Sequence, residues 1–244
     1  MKVEKNIMSI IALCFQLQLV GQGNILVIYE ETDRAFDLRN YENLESMPLS
    51  YESMERINRE KRAEKTIYSL LLVGDSSLFK FESKEIPWLK NSNSQFLKDH
   101  YKKGTKKQGY PSYFKDLSNN SLWIYGGSLP KDYIVQDDLN EINKWELLPM
   151  DSVISGFSCK AARNKRSKNI IAWYTSDIPI ADGPKHYSGL PGLIVAVKQQ
   201  DGRLLAISRI EKTNPNNIQK TLPAVSNNIT FEKWRNLILR SPTY

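Results

Sequence analysis

Apolar residues recur along this chain in short runs, separated by turn-forming residues, rather than at the three-and-four spacing of a helix stripe. Asn24 to Glu30 (NILVIYE) and Thr66 to Val73 (TIYSLLLV) are apolar and of strand length. Asp75-Ser76-Ser77 then reverses the chain into Leu78-Phe79-Lys80-Phe81, where Lys80 breaks an apolar face, the mark of a hairpin. The same texture returns at Leu122 to Tyr125, Asp132 to Asp137 and Trp145 to Pro149. In Val153 to Ala161, residues Phe157, Cys159 and Ala161 fall on one face of a strand and Ser158 and Lys160 on the other. Ile170 to Tyr174 returns from that strand. Leu193 to Gln199 and Arg203 to Ile210 flank Asp201-Gly202, a hairpin signal because a type I′ turn needs positive φ at both centres.

The pattern predicts roughly nine or ten strands arranged as successive hairpins, with no alternation of strand and helix. It describes a mostly β fold, a curved antiparallel sheet with one or two short helices. Helix-forming residues cluster in the charged segment 52–65 and in 230–239, where Thr230 is placed to cap the first turn. Residues 84–120 show no sustained periodicity and read as a polar insertion, with a helical turn near Gln95 to Tyr101.

Length and charge refine this picture. The 244 residues, 41% hydrophobic and 25% charged, suit one β-rich domain over 22–244. Ahead of it, Lys2 and Lys5 precede the mostly apolar Ile7 to Val20, and Gly21-Gln22-Gly23 supplies a small-residue exit. Residues 1–21 therefore read as a signal peptide, which exports the protein to the periplasm or cell exterior. The apolar run is too short, and too marked by Gln16 and Gln18, for a membrane helix. Leu13 before Cys14 does not match a lipoprotein site. Cleavage leaves Cys159 as a lone thiol, so the fold rests on packing without an internal disulfide. The net charge of +7 is concentrated in Lys102-Lys103-Gly104-Thr105-Lys106-Lys107 and Arg163-Asn164-Lys165-Arg166-Ser167-Lys168. No nucleic-acid motif accompanies these runs; solvated loops, or weak attraction to anionic glycans and lipid head groups, fit them better.

Catalytic chemistry is sparse. The two histidines, His100 and His186, are too few for a zinc site of usual ligands, and no metal or other cofactor is expected. Cys159 and His186 form a nucleophile pair on paper, but Cys159 beside Phe157 in a strand favours a packed thiol. Neither a Gly-x-Ser-x-Gly elbow nor a phosphate-cradling glycine loop occurs. The expectation is a protein that is not an enzyme.

The densest information lies at 172–197. Pro179, Gly183, Pro184, Gly189, Pro191 and Gly192 fall within one loop between strand-like segments, which describes a built shape rather than a floppy linker. The loop spells Gly189-Leu190-Pro191-Gly192-Leu193-Ile194. Gly156 to Ala161, Ala172-Trp173-Tyr174-Thr175, Ile178-Pro179-Ile180 and Gly183-Pro184 accompany it. This stretch resembles the GLPGLI family of exported proteins from Gram-negative bacteria, which has no assigned function. The turn at 163–168 departs from that family, carrying a basic run where an aromatic residue and a Gly-Arg pair are usual. The order of strand pair, Gly/Pro loop and further strand is also similar to periplasmic lipoprotein-carrier half-barrels. By that analogy, the concave face of the sheet holds acyl chains.

The loop admits two readings. As structure, it fixes how one strand crosses to the next, with Asp182 accepting backbone N–H groups at its turn. As a site, it forms a rim at which Trp173, Tyr174, His186, Tyr187, Gly189, Leu190, Pro191 and Gly192 contact a ligand or partner. Two functions follow. The first is a non-enzymatic exported protein that binds or carries an apolar or amphiphilic ligand, such as a lipid. The second is a structural or partner-binding envelope protein with a fully packed core, recognising through its loops.

Overall fold

The computed structural model describes residues 24–32, 64–87, 95, 109–199, 202–213 and 227–240, the last four of these by backbone only. The expected signal peptide lies outside the described residues. So do the helix expected at 52–65, save the end residues Glu64 and Lys65, and most of the polar insertion.

The first three strands are β1 (Asn24–Thr32), β2 (Lys65–Val73) and β3 (Ser76–Glu85). β4 (Pro111–Asp116), β5 (Ser121–Gly126) and β6 (Tyr133–Asp138) follow. A short helix α1 (Leu139–Ile142) leads to β7 (Trp145–Ile154), β8 (Phe157–Asn164) and β9 (Ile171–Thr175). After the Gly/Pro loop come β10 (Leu193–Lys198), β11 (Leu204–Thr213), β12 (Asn227–Ile229) and the helix α2 (Phe231–Arg240). The fold is mostly β, as the hydrophobic pattern predicts.

All twelve described strands join one sheet in the order β12-β6-β5-β4-β3-β2-β1-β11-β10-β9-β8-β7. Among the described residues no pairing joins β7 to β12, so the sheet is open. Pairing is antiparallel except where β12 runs parallel to β6. Register explains the core. Cross-strand partners point to the same face, and Val27, Leu70, Phe79, Tyr113, Ile124 and Val135 form an unbroken line of partners from β1 to β6. All six are buried. The face they share is called inner below. Aromatic contacts tie it together: Tyr68 stacks on Phe79 at 5.0 Å between ring centroids, and Phe79 meets Tyr29 and Tyr113 edge-on. Such pairs contribute about 0.5–1.5 kcal/mol each beyond burial.

Three local readings change. Residues 111–116, inside the expected irregular insertion, form β4; their mixed polarity arises because Lys115 is itself turned inward. The expected single strand Val153 to Ala161 is broken at Ser155-Gly156, both at positive φ (51° and 83°), as a tight hairpin turn requires. The polar Asn227–Ile229 pairs with β6 as an edge strand. Thr230 caps α2 as expected, its Oγ1 accepting from the Lys233 N–H at 3.3 Å.

Candidate functional site

The Gly/Pro loop at 178–192 is seated against the inner face and packed there. Leu193 N–H donates to Ile178 O at 2.9 Å, Ile194 N–H to Asp182 O at 2.9 Å and Gly189 N–H to Ala181 O at 3.0 Å, closing the loop on itself. Asp182 bridges Ser188 across it. Two glycines are sterically required. A Cβ on Gly192 (φ 148°) would lie 2.0 Å from Thr175 O, and one on Gly183 would lie 2.6 Å from the Ile194 Cβ. Gly189 (φ 81°) has open space where its Cβ would be, and only its backbone angle favours glycine.

Side chains from distant strands converge on this loop. Lys115 of β4 and Asp182 are both wholly buried and form an ion pair. The Lys115 ammonium also donates to Gly183 O at 2.5 Å and Tyr187 O at 3.4 Å. Burial holds the lysine below its usual range, and Asp182 opposes that shift. Thus the carboxylate of Asp182 meets a lysine, not the backbone N–H groups expected of it. The Tyr29 hydroxyl donates to Ile194 O at 2.6 Å. Asn143, the C-cap of α1, donates through Nδ2 to His186 O at 2.7 Å, and the Trp145 indole N–H donates to Ser188 O at 2.8 Å.

A second anchor sits at Glu31, which is 2% exposed. It continues the inward register of Ile25, Val27 and Tyr29. Lys185 reaches its Oε2 at 2.8 Å, Gln199 donates to the same oxygen at 2.6 Å and Arg203 reaches Oε1 at 2.7 Å. Burial pushes the Glu31 carboxyl up, but Lys185 and Arg203 outweigh it and leave it below the usual carboxylate range.

These contacts fix the sheet's shape. Lys115 and Trp145 lie on strands eight places apart in the strand order. In a flat sheet, at about 4.8 Å per strand, they would stand roughly 38 Å apart. They touch Asp182 and Ser188, which are bridged to each other. The sheet is therefore strongly curved around the loop.

The residues expected at a rim divide. Tyr174, Tyr187 and Leu190 are buried together in a cluster with Ile194 and Val197. Trp173 is partly buried and packs against the main core instead. Gly189 and Pro191 are exposed, while Gly192 is buried against β9. His186 is half-buried, with its ring 4.2 Å from that of Tyr187 and 4.5 Å from Phe231. Burial, with Lys185, Lys115 and Arg235 nearby, lowers its imidazole to about 3. Cys159 is buried, its Sγ 3.4 Å from Phe157 O, and burial raises its thiol, which describes an inert cysteine.

Beside His186 opens a cleft of about 730 Å3. Ile142 of α1, the β8–β9 turn, His186 and Tyr187 of the loop, and the first turn of α2 surround it. Sequence reasoning missed Lys115, Glu31 and Asn143. Glu31 had a signal, an acid on the inward register of an apolar strand; Lys115 and Asn143 had none. Among the described residues, no three His, Cys, Asp or Glu side chains cluster as metal ligands, and no helix is long and apolar enough to cross a membrane.

Fold and site together define a mostly β protein with one open, strongly curved sheet and a Gly/Pro loop seated on its inner face. A family described as a protein of unknown function (Porph_ging) matches residues 90–196, a span that includes β4, the loop and most of β10. No curated protein matches the chain. Among solved structures, the chain is similar to PNGF-II in the P21 space group, at 14% identity and a TM-score of 0.52, over 90% of this chain and 34% of that one. It is similar to PNGF-II in the C2 space group at 14% identity and a TM-score of 0.51, over 90% and 33%. The chain thus spans about a third of the length of the PNGF-II chains it matches, and the likeness is one of fold.

Proposed function

We propose that this is an exported, non-enzymatic protein of the cell envelope that recognises a partner through the surface around its 178–192 loop. The observation that carries this reading is the loop's own seat. A carrier of acyl chains needs its concave face free, whereas Ile178, Tyr187 and Leu190 of the loop are buried there above the Lys115–Asp182 pair. The packed-core reading is favoured over the carrier reading for that reason. The non-enzymatic reading is supported by His186, whose ring neighbours are Tyr113, Tyr187 and Phe231, and by the raised thiol of Cys159.

Membership of the GLPGLI family is part of the proposal. It is supported by the motif at 189–194 and by the match of 90–196 to a family of unknown function. Export is supported by Lys2, Lys5 and the apolar run that follows. Cross-linking in intact cells tests the function: a reproducible envelope partner is expected, and N-terminal sequencing of the recovered protein should begin after Gly21 or Gly23. Solvent extraction of the natively purified protein should yield no stoichiometric diacyl lipid, because the concave face is occupied by the loop. One diacyl lipid per chain would restore the carrier reading and overturn this one.

A further inference from the structure

The cleft beside His186 has the composition of a binding site. Its volume of about 730 Å3 lies within the range of small-molecule pockets, roughly 300–1,000 Å3. One wall is aromatic, formed by the contacting rings of Tyr187, His186 and Phe231. Ile142 and Ile170 add aliphatic surface. Two guanidiniums, Arg166 from the β8–β9 turn and Arg235 from α2, face it against one carboxylate, Glu232. Arg166 also stands 3.7 Å from Glu141, a loose exposed pairing. Lys165 and Lys168 flank Arg166 on the exposed turn and deepen the positive potential at the mouth. The Nδ1 atom of His186 is buried with no hydrogen-bond partner among the described residues, and such atoms ordinarily have one.

We propose that this cleft binds a small anionic ligand with an aromatic or aliphatic body, its oxyanion held by Arg166 and Arg235 and its body against His186, Tyr187 and Phe231. The proposal rests on the reading that recognition occurs around the 178–192 loop, and it adds the chemistry of what is recognised. Guanidiniums pair with carboxylate, phosphate and sulfonate oxygens in the same forked geometry. The low pKa of the imidazole keeps it neutral at physiological pH, so His186 adds ring surface and hydrogen bonding but no charge. The basic turn at 163–168 thereby acquires a role at the mouth of the cleft.

Two fluorescent probes of similar shape test this on the full chain: the anion 8-anilinonaphthalene-1-sulfonate and the uncharged N-phenyl-1-naphthylamine. The sulfonate should saturate at one site per chain and bind at least about ten-fold tighter than the neutral probe. The Arg166→Gln/Arg235→Gln double variant should erase that difference, while Arg209→Gln, an exposed arginine on β11, should preserve it. Displacement of the sulfonate by decanoate or by decyl phosphate would assign the natural head group. Equal affinity for the two probes, displacement by neither amphiphile, or an unaffected double variant would overturn the proposal. Should the double variant fail to fold, salt titration of the unchanged chain decides: added salt must weaken the sulfonate and leave the neutral probe unmoved. Failure here, with an envelope partner still captured by cross-linking, would remove the ligand and leave the recognition function standing.

Discussion

A lysine ammonium with no exposed surface keeps its charge only where a carboxylate touches it, and Lys115 has Asp182. Removing one partner strands the other in a dry interior, which costs about 3–5 kcal/mol, whereas replacing both with apolar groups of similar volume is often neutral. Lys115→Met should therefore lower stability by that amount in urea unfolding, and Lys115→Met/Asp182→Leu should regain most of it. Simple additivity of the two single changes would contradict the pairing. His186 makes a second prediction at this scale. Its folded imidazole titrates at about 3 against 6.5 when unfolded, so between those values the unfolded chain binds the extra proton. Stability must fall as pH drops from 6.5 toward 3. Glu31, lowered by Lys185 and Arg203 against its burial, adds a further loss as pH falls below its ordinary 4.5. The urea midpoint should decline from pH 7 to pH 5, and His186→Phe should flatten that part while leaving the steeper fall below 4.5. A midpoint unchanged between pH 7 and 5 in the parent protein would refute this. Glu31 left a trace in the sequence, standing at every second position after Ile25, Val27 and Tyr29, but the strand as read from the sequence stops at Glu30 and leaves it out. Lys115 left none, because its partner stands 67 positions away and nothing local marks the pair.

Most strands could be read from the chain because each hairpin writes its own punctuation. Gly202 (φ 87°) turns β10 into β11, and the turn before Ser76 includes Gly74 (φ 54°). The misses share a cause. β4 and β12 carry polar residues that the sheet satisfies through long-range partners, and such partners leave no periodicity behind. The Ser155-Gly156 turn hid between apolar neighbours, since Ile154 and Phe157 both pack against the core. The loop glycines yield a graded prediction. Gly189→Ala meets open space and should cost about 1–2 kcal/mol, the strain of its positive φ alone. Gly192→Ala would drive a methyl into the Thr175 carbonyl and should cost about 3 kcal/mol or more. Thermal unfolding of the pair checks the order; equal losses would mean that the loop does not approach β9 so closely.

Across the whole molecule, the sheet bends until strands eight places apart touch the same short segment, and that segment is the Gly/Pro loop. The motif itself was visible in the sequence, as was the mostly β character of the chain. Its position was not: whether the loop stands at the edge of the sheet or against its inner face depends on Tyr29, Lys115, Asn143 and Trp145, which belong to four separate elements or their caps. The loop belongs to the folded core and opens only when the core does. Native-state hydrogen exchange tests this most directly at three amides, those of Gly189, Leu193 and Ile194, whose acceptors are Ala181, Ile178 and Asp182. They should exchange as slowly as the amides of Val27 in β1 and Leu70 in β2, through global unfolding. Exchange about a hundred-fold faster than those strands would show a loop that opens by itself and is not part of the core.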